Sequence, residues 1–131
     1  MFIKPTVIEF NKIGNPSLGY ISVAEVQDNI AFEIKRVYWT YYTPDHVQRG
    51  GHAHKNLQQV LVAVSGIIEL TLKDTKGIEY FYKLDKPSMG LFIPENYWRT
   101  LKFSHNAVLV CLASEIYKEE DYIRDFSKFI K

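Results

Sequence analysis

The sequence predicts an all-β domain that ends in one short α-helix. Runs of β-branched and aromatic residues recur at short intervals and are separated by turn residues, as at 14–16 and 74–77. Aromatic residues make up 15% of the chain, and aromatic side chains favour strands. Many short strands with turns between them are typical of a β-sandwich or a barrel.

Each predicted strand follows from its own composition. Residues 32–42 are the longest candidate, residues 57–64 are apolar on both faces, and the turn at 74–77 joins two strands into a hairpin. The predicted strands are 7–10, 20–26, 32–42, 57–64, 67–73, 78–84, 90–93 and 107–112.

The last stretch of the chain differs from the strands. Tyr122, Ile123, Phe126 and Ile130 recur at helical spacing behind an acidic first turn at 119–121. This pattern predicts one C-terminal helix that packs on the barrel. The alternative is a helix that binds a partner.

Length and charge limit the organisation of the protein. With 131 residues and no linker or internal repeat, the sequence predicts a single domain over residues 1–131. The net charge of +1 gives no support for a nucleic-acid or membrane partner.

The one cysteine, Cys111, lies in an apolar run and is expected to be a buried thiol. The N-terminus lacks the apolar region of a signal peptide, so we expect a cytoplasmic location.

The long strand carries two polar residues that we expect inside the barrel. Its even-numbered residues from 32 to 42 share a face that begins apolar and therefore points inward, taking Arg36 and Tyr38 with it. An inward arginine needs an anion, which is either a protein carboxylate or a ligand phosphate. The other face, with Val37 and Trp39, faces solvent or a second subunit.

Two histidines lie in the block Arg49-Gly50-Gly51-His52-Ala53-His54-Lys55. In a strand, the two side chains point to the same side, and imidazole has the reference pKa that a general base or acid requires. Cations at 36, 49, 55 and 99 are expected around the same pocket, where arginine forks and lysines suit a diphosphate. The other histidines, at 46 and 105, are expected at the surface.

The spacing around the histidines matches the two cupin motifs, but the metal ligands are incomplete. The motif's glutamate position is Gln59, and its last histidine position is Arg99. Two histidines and a neutral amide beside a fixed cation make a poor site for a dication. We therefore expect no metal and no cofactor; a degenerate metal cupin is the alternative.

The ordered set of motifs resembles the sugar 3,4-ketoisomerases, which are cupins that act on dTDP-4-keto-6-deoxyglucose. The similarity covers nearly the whole chain, and the block at 49–55 with Gln59 is its strongest part. Further matching segments are 34–38, 57–61, 90–94, 97–99, 103–104, 108–110, 112–114, Tyr117 and 121–124. The resemblance implies a jelly roll, also called a double-stranded β-helix, and a homodimer with Trp39 or Tyr41 in its interface.

The resemblance also implies roles for the candidate residues. His54 is the expected base that moves a proton between carbons 3 and 4, with His52 and Tyr38 as helpers. Arg36, Arg49, Lys55 and Arg99 are the expected diphosphate ligands, and Gln59 orients a histidine or touches the sugar. The product would feed an aminotransferase that makes an amino sugar for a bacterial surface glycan, such as the O-antigen of lipopolysaccharide.

Alternatives to this activity remain open at the level of the sequence. A metal-free cupin epimerase also uses a histidine base, with a tyrosine donor on the opposite face of the sugar. A nucleotide-sugar-binding cupin without turnover is a second alternative, although simple binding does not require two adjacent histidines. The sequence also leaves open whether the product has the gluco or the galacto configuration.

Overall fold

Two five-stranded antiparallel sheets face each other across the core, and a two-stranded hairpin stands apart from them. The computed structural model describes residues 4–131, so the first three residues of the N-terminus lie outside the described residues. The strands are β1 (Thr6–Glu9), β2 (Ile13–Asn15), β3 (Gly19–Ile21), β4 (Arg36–Thr40), β5 (Gln48–His54), β6 (Gln59–Ser65), β7 (Ile68–Lys73), β8 (Glu79–Leu84), β9 (Met89–Ile93), β10 (Trp98–Phe103), β11 (Val108–Ala113) and β12 (Tyr122–Ile123). A 3-10 helix spans Glu119–Asp121, and the helix α1 spans Phe126–Phe129.

The strand order is that of a jelly roll, which confirms the predicted fold class. The first sheet has the order β1-β9-β6-β11-β4, and the second has the order β12-β5-β10-β7-β8. Strands that are distant in sequence are therefore neighbours, as expected when a chain winds back and forth between two sheets. The hairpin β2–β3 forms the separate third sheet.

The core lies between the inner faces of the two sheets. Alternate residues of each strand point into it, because successive side chains of a strand face opposite ways. The inner-face core contains Leu61, Ala63, Ile68, Leu70, Leu72, Leu84, Leu91, Ile93, Leu101, Phe103, Leu109 and Cys111. A second apolar cluster covers the outer face of the first sheet, where Phe10 and Ile30 pack on Val60, Val62 and Phe92.

The register of β4 places its polar residues as predicted. Tyr38 lies opposite Cys111 and Arg36 opposite Ala113, and residues directly opposite each other share a face. The prediction that the even-numbered side chains point inward is wrong at both ends of the predicted strand 32–42. Phe32 and Ile34 pack on the outer cluster instead, and Tyr42 is 88% exposed beyond the end of β4. The chain changes sides before β4 begins, which a constant two-residue period does not anticipate.

Two further predictions need correction. Of the predicted strand 20–26, only residues 20–21 are strand, as the end of β3 (Gly19–Ile21). In addition, β10 was not predicted, because the inward Arg99 interrupts its apolar alternation. The predicted C-terminal helix is present but short. Tyr122–Ile123 form β12, which pairs with β5, and the helix is the single turn Phe126–Phe129 capped by the side chain of Asp125. Within residues 4–131, no helix has the length and apolarity needed to cross a bilayer.

Candidate active site

Two glycines in β5 aim the histidines into the barrel. Gly50 and Gly51 have φ values of 90° and 74°, a backbone conformation that glycine adopts without strain. A Cβ on Gly50 would lie 2.7 Å from the carbonyl oxygen of Arg99, so a larger residue does not fit there. The pairing of β5 with β10 skips Gly51, which makes this point a β-bulge. Beyond the bulge, His52 lies directly opposite Arg99.

The side chains of His52 and His54 lie side by side, as predicted from their spacing. Their ring centroids are 4.9 Å apart. The ring of Tyr122 packs against both, at 5.0 Å from His52 and 4.3 Å from His54. His54 is fully buried and His52 is half-buried, so the pair spans from the floor of the pocket towards its opening.

His54 is held by a buried carboxylate. Its Nδ1 lies 3.2 Å from the Oδ2 of Asp121, within hydrogen-bond distance. Burial, and next the Arg99 guanidinium, lower the pKa of His54 to about 2. The same two causes, in the same order, lower the pKa of His52 to about 4. Both imidazoles are therefore neutral near pH 7, the state in which a histidine accepts a proton.

A network of polar side chains forms the floor of the pocket, with Gln59 and Arg99 buried and Tyr38 37% exposed. Gln59 uses its oxygen to accept a hydrogen bond from the Nη1 of Arg99, and its nitrogen donates to the hydroxyl of Tyr38 at 2.9 Å and to the sulfur of Cys111 at 3.1 Å. Arg99 is 3% exposed, and its Nη2 donates to the carbonyl of Tyr97. Its buried Nε has no hydrogen-bond partner within residues 4–131.

Tyr38 also keeps a proton that it can donate. Burial, followed by the nearby Cys111, raises the pKa of Tyr38 above its ordinary value, so the phenol stays protonated. Its oxygen already accepts from Gln59, and the other group within reach is the Cys111 sulfur, a weak acceptor. A ligand oxygen is a better acceptor than that sulfur.

This arrangement does not fit the metal ion that cupin motifs commonly hold. The guanidinium of Arg99 stands where the motif places its last histidine, and it is bonded to Gln59 at the glutamate position. A fixed positive charge bonded to one of the prospective ligands repels a dication. Within residues 4–131, no three His, Cys, Asp or Glu side chains form a group suited to a metal.

Arg36 lies at the side of the pocket and has no carboxylate partner among residues 4–131. Its guanidinium stacks between the rings of Tyr38, at 5.3 Å, and Tyr117, at 5.8 Å. Its buried Nε has no hydrogen-bond partner in the described part of the chain. The alternative of an ion pair with a glutamate is not found among residues 4–131. A half-buried, unpaired arginine is well suited to an anionic ligand.

The remaining predicted residues, two cations and two histidines, are all exposed. Lys55 alternates with His54, so it points to the outer side and lines a cavity of about 600 Å³ together with Tyr122 and Lys128. Arg49 is exposed, and its pairing with Leu101 puts it on the inner face before the bulge. The predicted surface histidines at 46 and 105 are both exposed.

The sequence reasoning missed the segment that closes the site, residues 114–123, which we call the C-terminal strap. Its Asp121 and Tyr122 contact the histidines, although the sequence pattern placed them in a helix. Glu119 accepts hydrogen bonds from Arg124 and Tyr117, which lower its pKa to about 2. Arg124 in turn lies 4.2 Å from the ring centroid of Tyr122 and holds it against the histidines.

Residues 3–131 match a family model described as FdtA: WxcM-like, C-terminal. The chain belongs to this WxcM-like family. A curated relative of this WxcM-like chain is the TDP-4-oxo-6-deoxy-alpha-D-glucose-3,4-oxoisomerase of Aneurinibacillus thermoaerophilus. It is 41% identical over 126 residues, which is 95% of this chain and 89% of the relative.

Solved structures agree with the WxcM-like assignment. A 3,4-ketoisomerase from Helicobacter canadensis has a TM-score of 0.92 at 37% identity, covering 98% of this chain and 96% of that one. A histidine-to-asparagine variant of the 3,4-ketoisomerase QdtA from Thermoanaerobacterium thermosaccharolyticum was solved with TDP-4-keto-6-deoxyglucose. It has a TM-score of 0.92 at 36% identity, covering 99% of this chain and 94% of that one. The resemblance to sugar 3,4-ketoisomerases is thereby confirmed.

Proposed function

We propose that this protein is a sugar-nucleotide 3,4-ketoisomerase that converts dTDP-4-keto-6-deoxy-D-glucose to the dTDP-3-keto-6-deoxyhexose. The observation that carries the proposal is the neutral His54, bonded at Nδ1 to Asp121 and flanked by His52, Tyr38 and Arg99. This arrangement offers an unprotonated nitrogen beside several hydrogen-bond donors. Removing a proton next to a carbonyl requires that combination.

The reaction moves two protons and no electrons leave the sugar. His54 takes the proton from carbon 3, which the carbonyl at carbon 4 makes acidic. The electron pair forms a carbon–carbon double bond, which gives an enediolate with its negative charge on oxygen 4. The hydroxyl proton on oxygen 3 moves to oxygen 4, assisted by His52 and Tyr38. His54 then returns its proton to carbon 4, and the carbonyl is left at carbon 3.

The floor network stabilises the charge that develops on the sugar oxygens. The guanidinium of Arg99 and the hydroxyl of Tyr38 are fixed in position, because Gln59 is hydrogen-bonded to both side chains. Donors that are fixed before the reaction stabilise an enediolate without reorganisation. We assign Arg99 to the sugar rather than to the diphosphate, since it is 3% exposed at the depth of the histidines.

The diphosphate is bound closer to the pocket opening. Arg36 is the strongest candidate, because its guanidinium is half-buried and has no carboxylate partner within residues 4–131. Arg49 is exposed on the inner face and is proposed as an outer contact of the same group, whereas Lys55 points to the outer side and is not assigned to it. Arginine donors match phosphate oxygens in pairs, whereas lysine acts as a point charge.

A proton NMR time course with dTDP-4-keto-6-deoxyglucose in deuterated water tests the activity. We expect the carbonyl to move to carbon 3, with coupling constants at carbon 4 that give the product series. Deuterium should enter at carbon 4 only to the extent that the proton on the buried His54 exchanges with solvent before it is returned. Deuterium at carbon 3 or 5 with the carbonyl still at carbon 4 would identify an epimerase or an exchange reaction. Unchanged substrate beside tightly bound protein would identify a binding protein.

We also propose that the protein works as a homodimer in the cytoplasm. The hairpin β2–β3 and the outer face of β4 expose large apolar side chains, with Leu18 at 85%, Ile21 at 64% and Trp39 at 61%. Exposed apolar patches of this kind mark interfaces, and a second copy is the partner that the family resemblance implies. Light scattering of the intact protein at micromolar concentration tests this, and a monomeric mass would refute it.

The product has a use that follows from its chemistry. A ketone at carbon 3 is the substrate class of an aminotransferase, which would give a 3-amino-3,6-dideoxy sugar for a surface glycan such as the O-antigen of lipopolysaccharide. Coupling the purified protein to such an aminotransferase and following amino-sugar formation tests this place in the sequence of reactions.

A further inference from the structure

The C-terminal strap runs beside the strand that carries the catalytic histidines. In β12, Tyr122 pairs with His54 and Ile123 with Ala53. The carbonyl of Asp121 accepts a hydrogen bond from the backbone N–H of Lys55 at 2.9 Å. The strap therefore has a fixed register against β5, and Asp121 comes next to His54 through backbone pairing alone.

The carboxylate of Asp121 is buried in an unusual setting. The residue is 8% exposed, and within residues 4–131 it forms no ion pair with a lysine or arginine. Its Oδ1 accepts a hydrogen bond from the backbone N–H of Asn56 at 2.8 Å, and its Oδ2 faces the Nδ1 of His54 at 3.2 Å. Burying a carboxylate without a cation costs free energy unless hydrogen bonds offset it. These two contacts offset the cost of burying the carboxylate.

We propose that Asp121 is a positioning residue for the base, which it holds as the Nδ1–H tautomer with the Nε2 lone pair free for the sugar. This inference rests on the proposed function, because it assigns His54 the role of base. The Oδ1 contact with Asn56 fixes the rotation of the carboxylate, so only Oδ2 is available to the histidine. An imidazole bonded in this way cannot turn its other nitrogen away from the pocket.

Asp121 also has a role after the proton is taken up. The resulting imidazolium is buried, and the Arg99, Arg36 and Arg124 guanidinium groups act against its charge. Asp121 is the carboxylate in direct contact with it, and a charge-assisted hydrogen bond is stronger than a neutral one. The carboxylate therefore lowers the free energy of the state in which His54 holds the carbon-bound proton.

The substitution Asp121→Asn tests the positioning role. The side-chain amide keeps the shape but can present its NH₂ group to Nδ1, which favours the opposite tautomer. We expect kcat to fall by about 10²-fold or more, while the dissociation constant for dTDP is unchanged. Nitrogen-15 NMR of the histidine side chains should show Nδ1 protonated in the parent protein and unprotonated in the variant.

The matched control is Glu120→Gln, which removes an exposed carboxylate from the same 3-10 helix. It should change neither the tautomer nor kcat. If the parent protein shows His54 protonated at Nε2, the proposal is wrong, whether or not the variant folds. An unchanged tautomer in a folded Asp121→Asn variant would also overturn it.

The tautomer measurement needs no substrate, so it separates this inference from the proposed function. A parent protein with the Nδ1–H tautomer that fails to isomerise the keto sugar would refute the activity alone. A parent protein that isomerises the sugar with the other tautomer would refute the role of Asp121 alone.

Discussion

The two ends of the barrel interior are built from different side chains between the same two sheets. The apolar end contains Leu70, Leu84, Leu91, Phe103 and Leu109, which belong to one hydrophobic cluster. The polar end contains Tyr38, His54, Gln59, Arg99 and Asp121, and nearly every polar atom there is bonded to a neighbour. The comparison indicates that apolar burial at one end stabilises the barrel, whereas the candidate active site lies at the other end.

The largest expected effect comes from removing the base at the polar end. His54→Asn should lower kcat by about 10³-fold or more, because general base catalysis contributes on that order, while dTDP still binds. Steady-state NMR assays and calorimetric titration with dTDP measure the two effects. The control His105→Asn changes an exposed histidine and should leave both unchanged. Carbonyl migration at the parent rate in His54→Asn would assign the base elsewhere.

A substitution at the apolar end should lower the stability of the protein and leave its kcat unchanged. Leu91 is fully buried, so Leu91→Ala should lower the free energy of unfolding by about 2–5 kcal/mol. Urea unfolding measures that change. The kcat per folded molecule should stay the same, since the histidines and their partners are unaffected. A loss of kcat in a fully folded Leu91→Ala sample would mean that the two ends are coupled.

The affinity for dTDP should fall when the guanidinium of Arg36 beside the pocket is removed. Arg36→Ala should weaken dTDP binding by about 10- to 100-fold, as expected for the loss of a charge-assisted contact with a phosphate. Isothermal titration with dTDP measures it. Lys102→Ala removes an exposed cation from β10 and serves as the control. Equal affinities for both variants would remove Arg36 from the phosphate site.

The last expected effect is a pH dependence of stability. In the folded protein, the pKa values of His52 and His54 lie below the reference value of 6.5. As the pH falls below 6.5, the unfolded chain therefore binds protons that the folded protein does not. For each histidine, the free energy of unfolding should fall by about 1.4 kcal/mol per pH unit below pH 6.5. For His52 this fall should continue to about pH 4. Urea unfolding of the parent protein across this range measures the slope.

The stability lost on acidification should be fully present above pH 6.5. A double variant with asparagine at both histidines should show a flatter profile than the parent protein. An equally steep profile in that variant would show that other groups, and not these two imidazoles, cause the acid sensitivity.

The sequence predicted those features that depend on local spacing. The strands 67–73 and 78–84 follow from alternation and a turn, and His52, His54, Gln59 and Arg99 follow from motif spacing. The change of sides before β4 was not predictable, because it depends on the outer cluster that Phe32 joins. Asp121 and Tyr122 were also missed as site residues. Their role arises from pairing with a strand far away in the sequence, whereas their local spacing resembles a helix.

The contact between His54 and Asp121 has a consequence for folding. The two residues are 67 positions apart in the chain, so closing this contact orders a long loop. Hairpins such as β7–β8 close much shorter loops and are expected to form earlier. Before the strap docks, His54 is open to water and takes up protons like any free imidazole. Refolding below pH 6.5 should therefore be slowed at the docking step, since the proton must leave before the base is buried.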